Sequence, residues 1–226
     1  MISKLPRWVW FGAWALAFAG GFINVIGLLG FTHQAISHLT GTTSLLASAV
    51  ASLDGASALH FAAVIGSFVL GCMISGFVIR DGALQIGRRY GVVLIVESAM
   101  LCVAVPLLKH GNVLGVYSAA CACGLQNAMI STYSGTVVRT THLSGMFTDL
   151  GIFLGHKLRG LPVEPLRLRL CILIISAFFC GGVAGASAFN RFSYSALYFP
   201  AGLAASGAFA YGFYRMRQKP GTNRAS

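Results

Sequence analysis

Two short segments share one chemical pattern. Ser37-His38-Leu39-Thr40-Gly41 and Thr141-His142-Leu143-Ser144-Gly145 both read hydroxyl-His-Leu-hydroxyl-Gly, at an offset of 104 residues. Each pairs an imidazole that titrates near neutrality with a hydroxyl suited to capping a helix and a glycine that lets backbone or ligand come close. A helix that starts at such a turn presents free N–H groups and the positive end of its dipole, which suits an anionic group on a solute. His38, Thr40, Gly41, His142, Ser144 and Gly145 are therefore candidate ligand contacts. The plainer alternative is that they only complete the turns. Two histidines without carboxylate or cysteine company do not make a metal site, and no cofactor is expected.

Other polar residues stand out against apolar surroundings. Glu97 lies in the middle of a long apolar run. A charged carboxylate at that depth costs about 2.5–3.5 kcal/mol on insertion scales. It must face other helices, find a partner or carry a proton. Either it binds a proton or cation, or it is a neutral acid hydrogen-bonded between helices. Asn24, Gln126 and Asn127 also fall inside apolar runs, where amides hydrogen-bond neighbouring helices or contact a solute. Arg139 and Asp149 flank the second His turn and have no counterparts at the first. They read as a salt bridge or gate on one side, with a snorkelling arginine as the alternative.

The elements that must position these groups are long and apolar. Of 226 residues, 56% are hydrophobic and only 9% charged, well under the roughly 25% of a soluble domain. Runs of 18 or more apolar residues are candidate spanning helices. They cover Trp8–Gly30, Ser57–Val78, Gly91–Leu108, Val113–Ser134, Leu170–Phe189 and Ala196–Tyr214. Two stretches, Gly41–Ser52 and Gly145–Leu158, are too short to cross comfortably and read as re-entrant or interfacial helices. The first run, led by Lys4 and Arg7, is too long for a signal peptide and reads as an uncleaved span. The expected fold is an all-α polytopic membrane bundle of six spans plus two short helices. It forms one domain over 1–214, followed by a basic tail over 215–226.

The net charge of +11 does not indicate nucleic acid, because the basic residues sit in short clusters between apolar runs. With six spans and both termini cytoplasmic, fourteen Lys and Arg fall inside and only Lys109 and Arg191 outside. Eight spans give a poorer split of 11 to 5, so the positive-inside rule prefers six. All six cysteines lie in apolar runs and read as small packing residues.

The His turns belong to a wider repeat. Gly21-Phe22-Ile23-Asn24 matches Gly124-Leu125-Gln126-Asn127 at an offset of 103, and Phe68 and Gly71 match Phe178 and Gly181 at 110. Each half, about 8–108 and 113–214, then holds three spans and one short helix. Three spans is an odd number, so the second half is inverted, as in many secondary transporters.

Together the first turn, extended to Thr43, and the longer block Gly124-Leu125-Gln126-Asn127 … Tyr133-Ser134-Gly135 … Val138-Arg139-Thr140-Thr141-His142-Leu143-Ser144-Gly145 … Asp149-Leu150-Gly151 resemble the YoaK-like family of bacterial integral membrane proteins, a domain of unknown function. The resemblance covers about residues 10–214. It implies a small polytopic protein of the bacterial inner membrane and supplies no activity. No metalloprotease, nucleophile-elbow, P-loop or dinucleotide signature is present, so an enzyme is not expected. The reading is a transporter or channel for a small solute, its site between the halves, with the lipid bilayer as partner. The alternative is a non-transporting scaffold or sensor.

The charge split fixes an expected topology. Reporter fusions after Arg88 and Lys157 should both report cytoplasm, and a fusion after Asp54 periplasm. A periplasmic signal at Arg88 would instead favour eight spans.

Overall fold

The computed structural model describes residues 7–79, 89–134 and 140–217. Described residues outside turns are helical, and no strand occurs among them. The order is α1 (Arg7–Leu29), α2 (Leu39–Ala51), α3 (Gly55–Val78), α4 (Arg89–Lys109), α5 (Leu114–Ser134), α6 (Leu143–Leu158), α7 (Pro165–Phe192), a short 3-10 turn (Ser193–Leu197) and α8 (Tyr198–Arg217). The loop with Arg80 and Arg88, and the tail beyond Arg217, lie outside the described residues.

Among the described residues, four stretches are long and apolar enough to cross a membrane: Val9–Leu29, Gly55–Val78, Arg89–Lys109 and Pro165–Phe213, the last running through α7, the 3-10 turn and α8. The length and apolarity of these helices are those of a membrane protein. Expected spans map onto α1, α3, α4, α5, α7 and α8. Helix α5 is long enough but more polar, because Ser118, Gln126 and Asn127 interrupt it. The short helices have 13 and 16 residues, about 20 and 24 Å at 1.5 Å per residue. Both fall short of a hydrocarbon core of about 30 Å. Helix α2 packs on α3, and α6 on α7. Each leaves large apolar side chains exposed, Leu45 and Val50 on one and Phe147, Ile152 and Leu154 on the other.

Two crossings dominate the packing, α1 with α7 and α3 with α5. Both depend on glycine. A Cβ at Gly21 would overlap the Phe178 carbonyl, and one at Gly181 the Phe18 carbonyl. Across the other pair, a Cβ at Gly124 would overlap the Phe68 carbonyl, and one at Gly71 the Cys121 carbonyl. The Cys72 thiol donates to the Gly124 carbonyl at 3.3 Å. In lipid, helices gain nothing from hydrophobic burial against each other, so close backbone approach supplies the attraction. Gly21 and Gly124 stand at the repeat offset of 103, and Phe178 and Phe68 at 110. The two crossings thus use equivalent residues. Gly66 and Gly76 face outward, as do Cys102 and Cys180, expected to pack.

The elements around the crossings fill three apolar clusters. One joins α1, α4, α5 and the start of α8 around Ile23, Leu101, Ala119 and Ala201. A second joins α1, α6 and α7 around Ala17, Met146 and Ile174. A third joins α3, α4 and α5 around Ile79, Val93 and Leu125.

Substitution at the crossings should be felt in the melt. Gly124→Ala drives a methyl into the Phe68 backbone and should destabilise by roughly 1–3 kcal/mol, the usual cost of overpacking. Gly66→Ala, on an outward face, should leave the melting temperature unchanged. Thermal denaturation in detergent compares the two.

Candidate functional site

The chain breaks after α1 and after α5, and at each break an asparagine on the preceding helix holds the turn. Asn24 Oδ1 accepts from Ser37 N at 2.8 Å and from Ser37 Oγ at 3.1 Å. Asn127 Oδ1 accepts from Thr141 Oγ1 at 2.8 Å, and its Nδ2 donates to the Cys123 carbonyl at 3.0 Å. The asparagines are equivalent at 103 residues and the hydroxyls at 104. Both amides of the sequence reading therefore bond within the protein. Gln126 does so too, its Nε2 donating to the Leu16 carbonyl at 2.6 Å and tying α5 to α1.

The helices that follow begin alike. His38 (φ −88°, ψ 67°) and His142 (φ −90°, ψ 63°) are the N-cap residues, and neither makes a side-chain cap bond. Thr42 N donates to the His38 carbonyl at 3.1 Å and Met146 N to the His142 carbonyl at 3.3 Å. This corrects the expectation that Thr40 and Ser144 cap these helices. Both lie in the first turn and are exposed, because the histidine carbonyl already accepts the first helical N–H. Gly41 and Gly145 are needed for a local reason. The His38 ring comes within 2.5 Å of where a Gly41 Cβ would sit, and the His142 ring takes the same place over Gly145. Each imidazole folds over its own glycine and stays exposed.

Both turns meet α1. Ser37 hangs from Asn24, five residues from the end of α1, about 7.5 Å inside it. Thr141 Cγ2 lies 2.9 Å from where a Gly20 Cβ would be. Gly20 and Asn24 are four residues apart, on one face of α1 and about 6 Å from each other along its axis. The turns thus stack along the C-terminal half of one helix. Around them are groups that the sequence reading passed over. Gln34 Nε2 donates to the buried Thr42 Oγ1 at 3.0 Å, while Gln34 Oε1 and the fully buried Thr140 Oγ1 have no hydrogen-bond partner among the described residues. Buried polar atoms are normally paired, so these two mark the walls of the site as polar. The signal was present as an Asn followed 13 or 14 residues later by Ser or Thr.

Glu97 lies in the α4–α5 seam. It is 1% exposed, and its Oε2 has no hydrogen-bond partner. Cys123 connects it to the second turn: the Cys123 carbonyl accepts from Asn127, and the thiol is an electrostatic neighbour of the Glu97 carboxyl. The structure therefore brings Asn24, Ser37, Asn127 and Thr141 together, with Gln126 beside them. It leaves His38, Thr40, His142 and Ser144 on exposed edges of the turns and Asp149 exposed on α6. Arg139 lies outside the described residues. No group of three or more metal-ligating side chains occurs among the described residues.

The asparagines should matter to folding in equal measure. Asn24→Ala strips the Ser37 N–H of its acceptor, and Asn127→Ala strips the Thr141 hydroxyl. Each should destabilise by about 1–3 kcal/mol, the penalty for a buried polar group left unpaired. Thermal denaturation in detergent compares both variants with the wild type.

No curated protein and no solved structure matches the chain. One family model does, across residues 12–210, which takes in every described helix from the second turn of α1 into α8. The glycine crossings, the two asparagine-held turns and Glu97 all lie within that match. The chain belongs to the DUF1275 family, whose members are described as proteins of unknown function.

Proposed function

We propose that this protein is a transporter or channel for a small solute in the bacterial inner membrane. It has six spans, cytoplasmic termini and two inverted halves, with its site between them. The observation that carries this reading is the pair of equivalent turns, Ser37 on Asn24 and Thr141 on Asn127, stacked on the C-terminal half of α1. A membrane protein tolerates broken backbone at mid-depth only where the break is buried in protein or lines a cavity. Transporters built from inverted repeats place their sites at such breaks. The equivalent glycine crossings add support, since each half lends its third helix to the first helix of the other.

The solute this site suits is small and hydrogen-bonding. Its surroundings offer amide and hydroxyl groups from Gln34, Asn127, Thr140 and Thr141, with His38 and His142 at the edges. The short helices α2 and α6, which pack chiefly on α3 and α7, are re-entrant in this reading. No catalytic role is assigned.

Two measurements test it. A metabolite screen by thermal shift on purified protein should find a compound that stabilises it by RT ln(1 + [L]/Kd), about 2.7 kcal/mol at a hundredfold excess over Kd. That compound should then move into proteoliposomes. Gly41→Leu and Gly145→Leu, which displace the histidine rings at the site, should abolish the flux with little loss of expression. Absence of any ligand, together with a stoichiometric co-purifying protein, would instead identify a scaffold or sensor.

A further inference from the structure

The buried stripe of α4 runs Tyr90, Val93, Glu97, Leu101, Ala104 and Leu108, a spacing of three and four that makes a helix seam. Glu97 is the stripe's one carboxyl. The seam it faces, on α5, is closed. A Cβ at Gly115 would lie 2.6 Å from Leu108 Cγ and 2.9 Å from the Ala104 carbonyl. Ser118 Oγ donates to the Met100 carbonyl at 2.8 Å. An unpaired carboxylate sealed into this seam is unfavourable, whereas a carboxylic acid is tolerated.

The corresponding seam, between α1 and α8, is open. Gly12, the counterpart of Gly115 at the offset of 103, meets no described atom within 4 Å of its would-be Cβ. A groove of about 420 Å³ separates the helices, lined by Phe18 and Phe22 of α1, Ala184 and Ala188 of α7, and Phe199 of α8. Phe199 stacks on Phe22 at 5.4 Å yet remains 58% exposed. The residues that match Phe22 and Ala184 across the repeat, Leu125 and Ile74, are packed with Tyr90 and Val93 in a filled cluster. Helix α8 leans on α4: a Cβ at Gly207 would lie 3.6 Å from Leu94 Cδ1, and one at Gly91 3.5 Å from Tyr211 Cδ1. The stretch of α8 opposite Glu97, Ala201–Gly207, carries no ionisable side chain. So the two seams differ in packing, and only the closed one holds an acid.

Resting on the transport reading above, we propose that Glu97 is a proton-binding latch that decides which of these seams is closed. Protonated, it lets the α4–α8 pair seal against α5 and leaves the α1–α8 groove open. When water enters the α4–α5 seam, the proton passes from the Glu97 carboxyl to that water. The carboxylate then stays hydrated, and the pair moves toward α1 and fills the groove. Reclosure of the seam requires the proton back. A ligand shifts an equilibrium only through its different affinity for the two states, and here the proton binds the sealed state. Low pH therefore favours the structure described, and rising pH favours its mirror.

Other titratable groups near the seam differ from Glu97 in kind. Cys123 faces it from α5, Cys121 neighbours Cys123 and Cys72 on the α3 side, and the Cys72 thiol is bonded to the Gly124 carbonyl. Tyr90, Tyr133 and Tyr211 gather about two turns away on α4, α5 and α8. His60 of α3 is hydrogen-bonded to Tyr117 at 3.0 Å, and Tyr194 of the 3-10 turn accepts from Phe31 N at 2.7 Å.

The chain supplies its own probe. Its three tryptophans, Trp8, Trp10 and Trp14, all lie on α1, and Trp14 stacks on the groove residue Phe18 at 5.2 Å. Tryptophan emission in lipid nanodiscs should follow a single-proton titration within roughly pH 5 to 9, the range a buried carboxyl can reach. Glu97→Gln should hold the low-pH spectrum at every pH, and Glu97→Asp should titrate with a displaced midpoint. A flat wild-type spectrum, or a Glu97→Gln titration like wild type, overturns the latch. If Glu97→Gln does not fold, an unmoved midpoint in Glu97→Asp overturns it instead. The transport reading fails separately, by a ligand screen that finds nothing. Solute flux with flat emission removes the latch alone.

Discussion

The constraint on which the rest of this structure depends is that a bilayer offers no water to an exposed peptide group. A chain that breaks a helix inside it must find internal partners for the N–H and C=O groups it frees. In the re-entrant reading proposed above, Asn24 and Asn127 meet that need. Each sits inside a helix that precedes a break, and each turns its amide oxygen on the residue that leads into the next helix. The following histidine then takes up the N-cap position with its carbonyl, and its ring settles over a glycine three residues on. Replacing any one of these residue types would leave a polar group without a partner or a ring without room.

A second constraint follows from the same solvent. Lipid gives helices no hydrophobic reason to associate, so the pairs that hold the bundle are those whose backbones come closest. Gly21 with Gly181, and Gly124 with Gly71, create two tight crossings. Against this fixed frame, α8 is held by side chains of ordinary size, whereas α4 also meets α5 closely at Gly115. That contrast explains why one of their seams is filled and the other grooved. A frame of backbone contacts has one geometry, whereas a seam of side chains can be packed on either side.

The polar groups of the interior divide by whether they are satisfied. The amides of Asn127 and Gln126 are bonded within the protein and define shape. Gln34 Oε1, Thr140 Oγ1 and Glu97 Oε2, like Ser75 Oγ on α3, are buried without partners among the described residues, and buried polar atoms are normally paired. Their grouping near the two breaks and in one seam is what gives the proposed site and the proposed latch their positions.

Much of this was legible in the sequence, and the limits have physical causes. Apolar runs long enough to span, the matched hydroxyl-His-Leu-hydroxyl-Gly segments and the isolated Glu97 follow from local composition and periodicity, which the sequence alone determines. Helix starts were misjudged by two residues, since a histidine carbonyl can accept the first helical N–H as well as a hydroxyl can. That Gly66 and Gly76 face outward while Gly71 is pressed against Cys121 could not be read at all, because a run of small residues does not mark which of its faces meets a neighbour. Only the tertiary structure decided that α1 pairs with α7 and α3 with α5. It alone decided that Asn24 reaches Ser37, that Thr141 lies against Gly20, and that α8 leans on α4 instead of α1. These are contacts between distant parts of the chain, set by backbone shape and not by charge or hydropathy, and apolar stripes of similar composition do not name their partners.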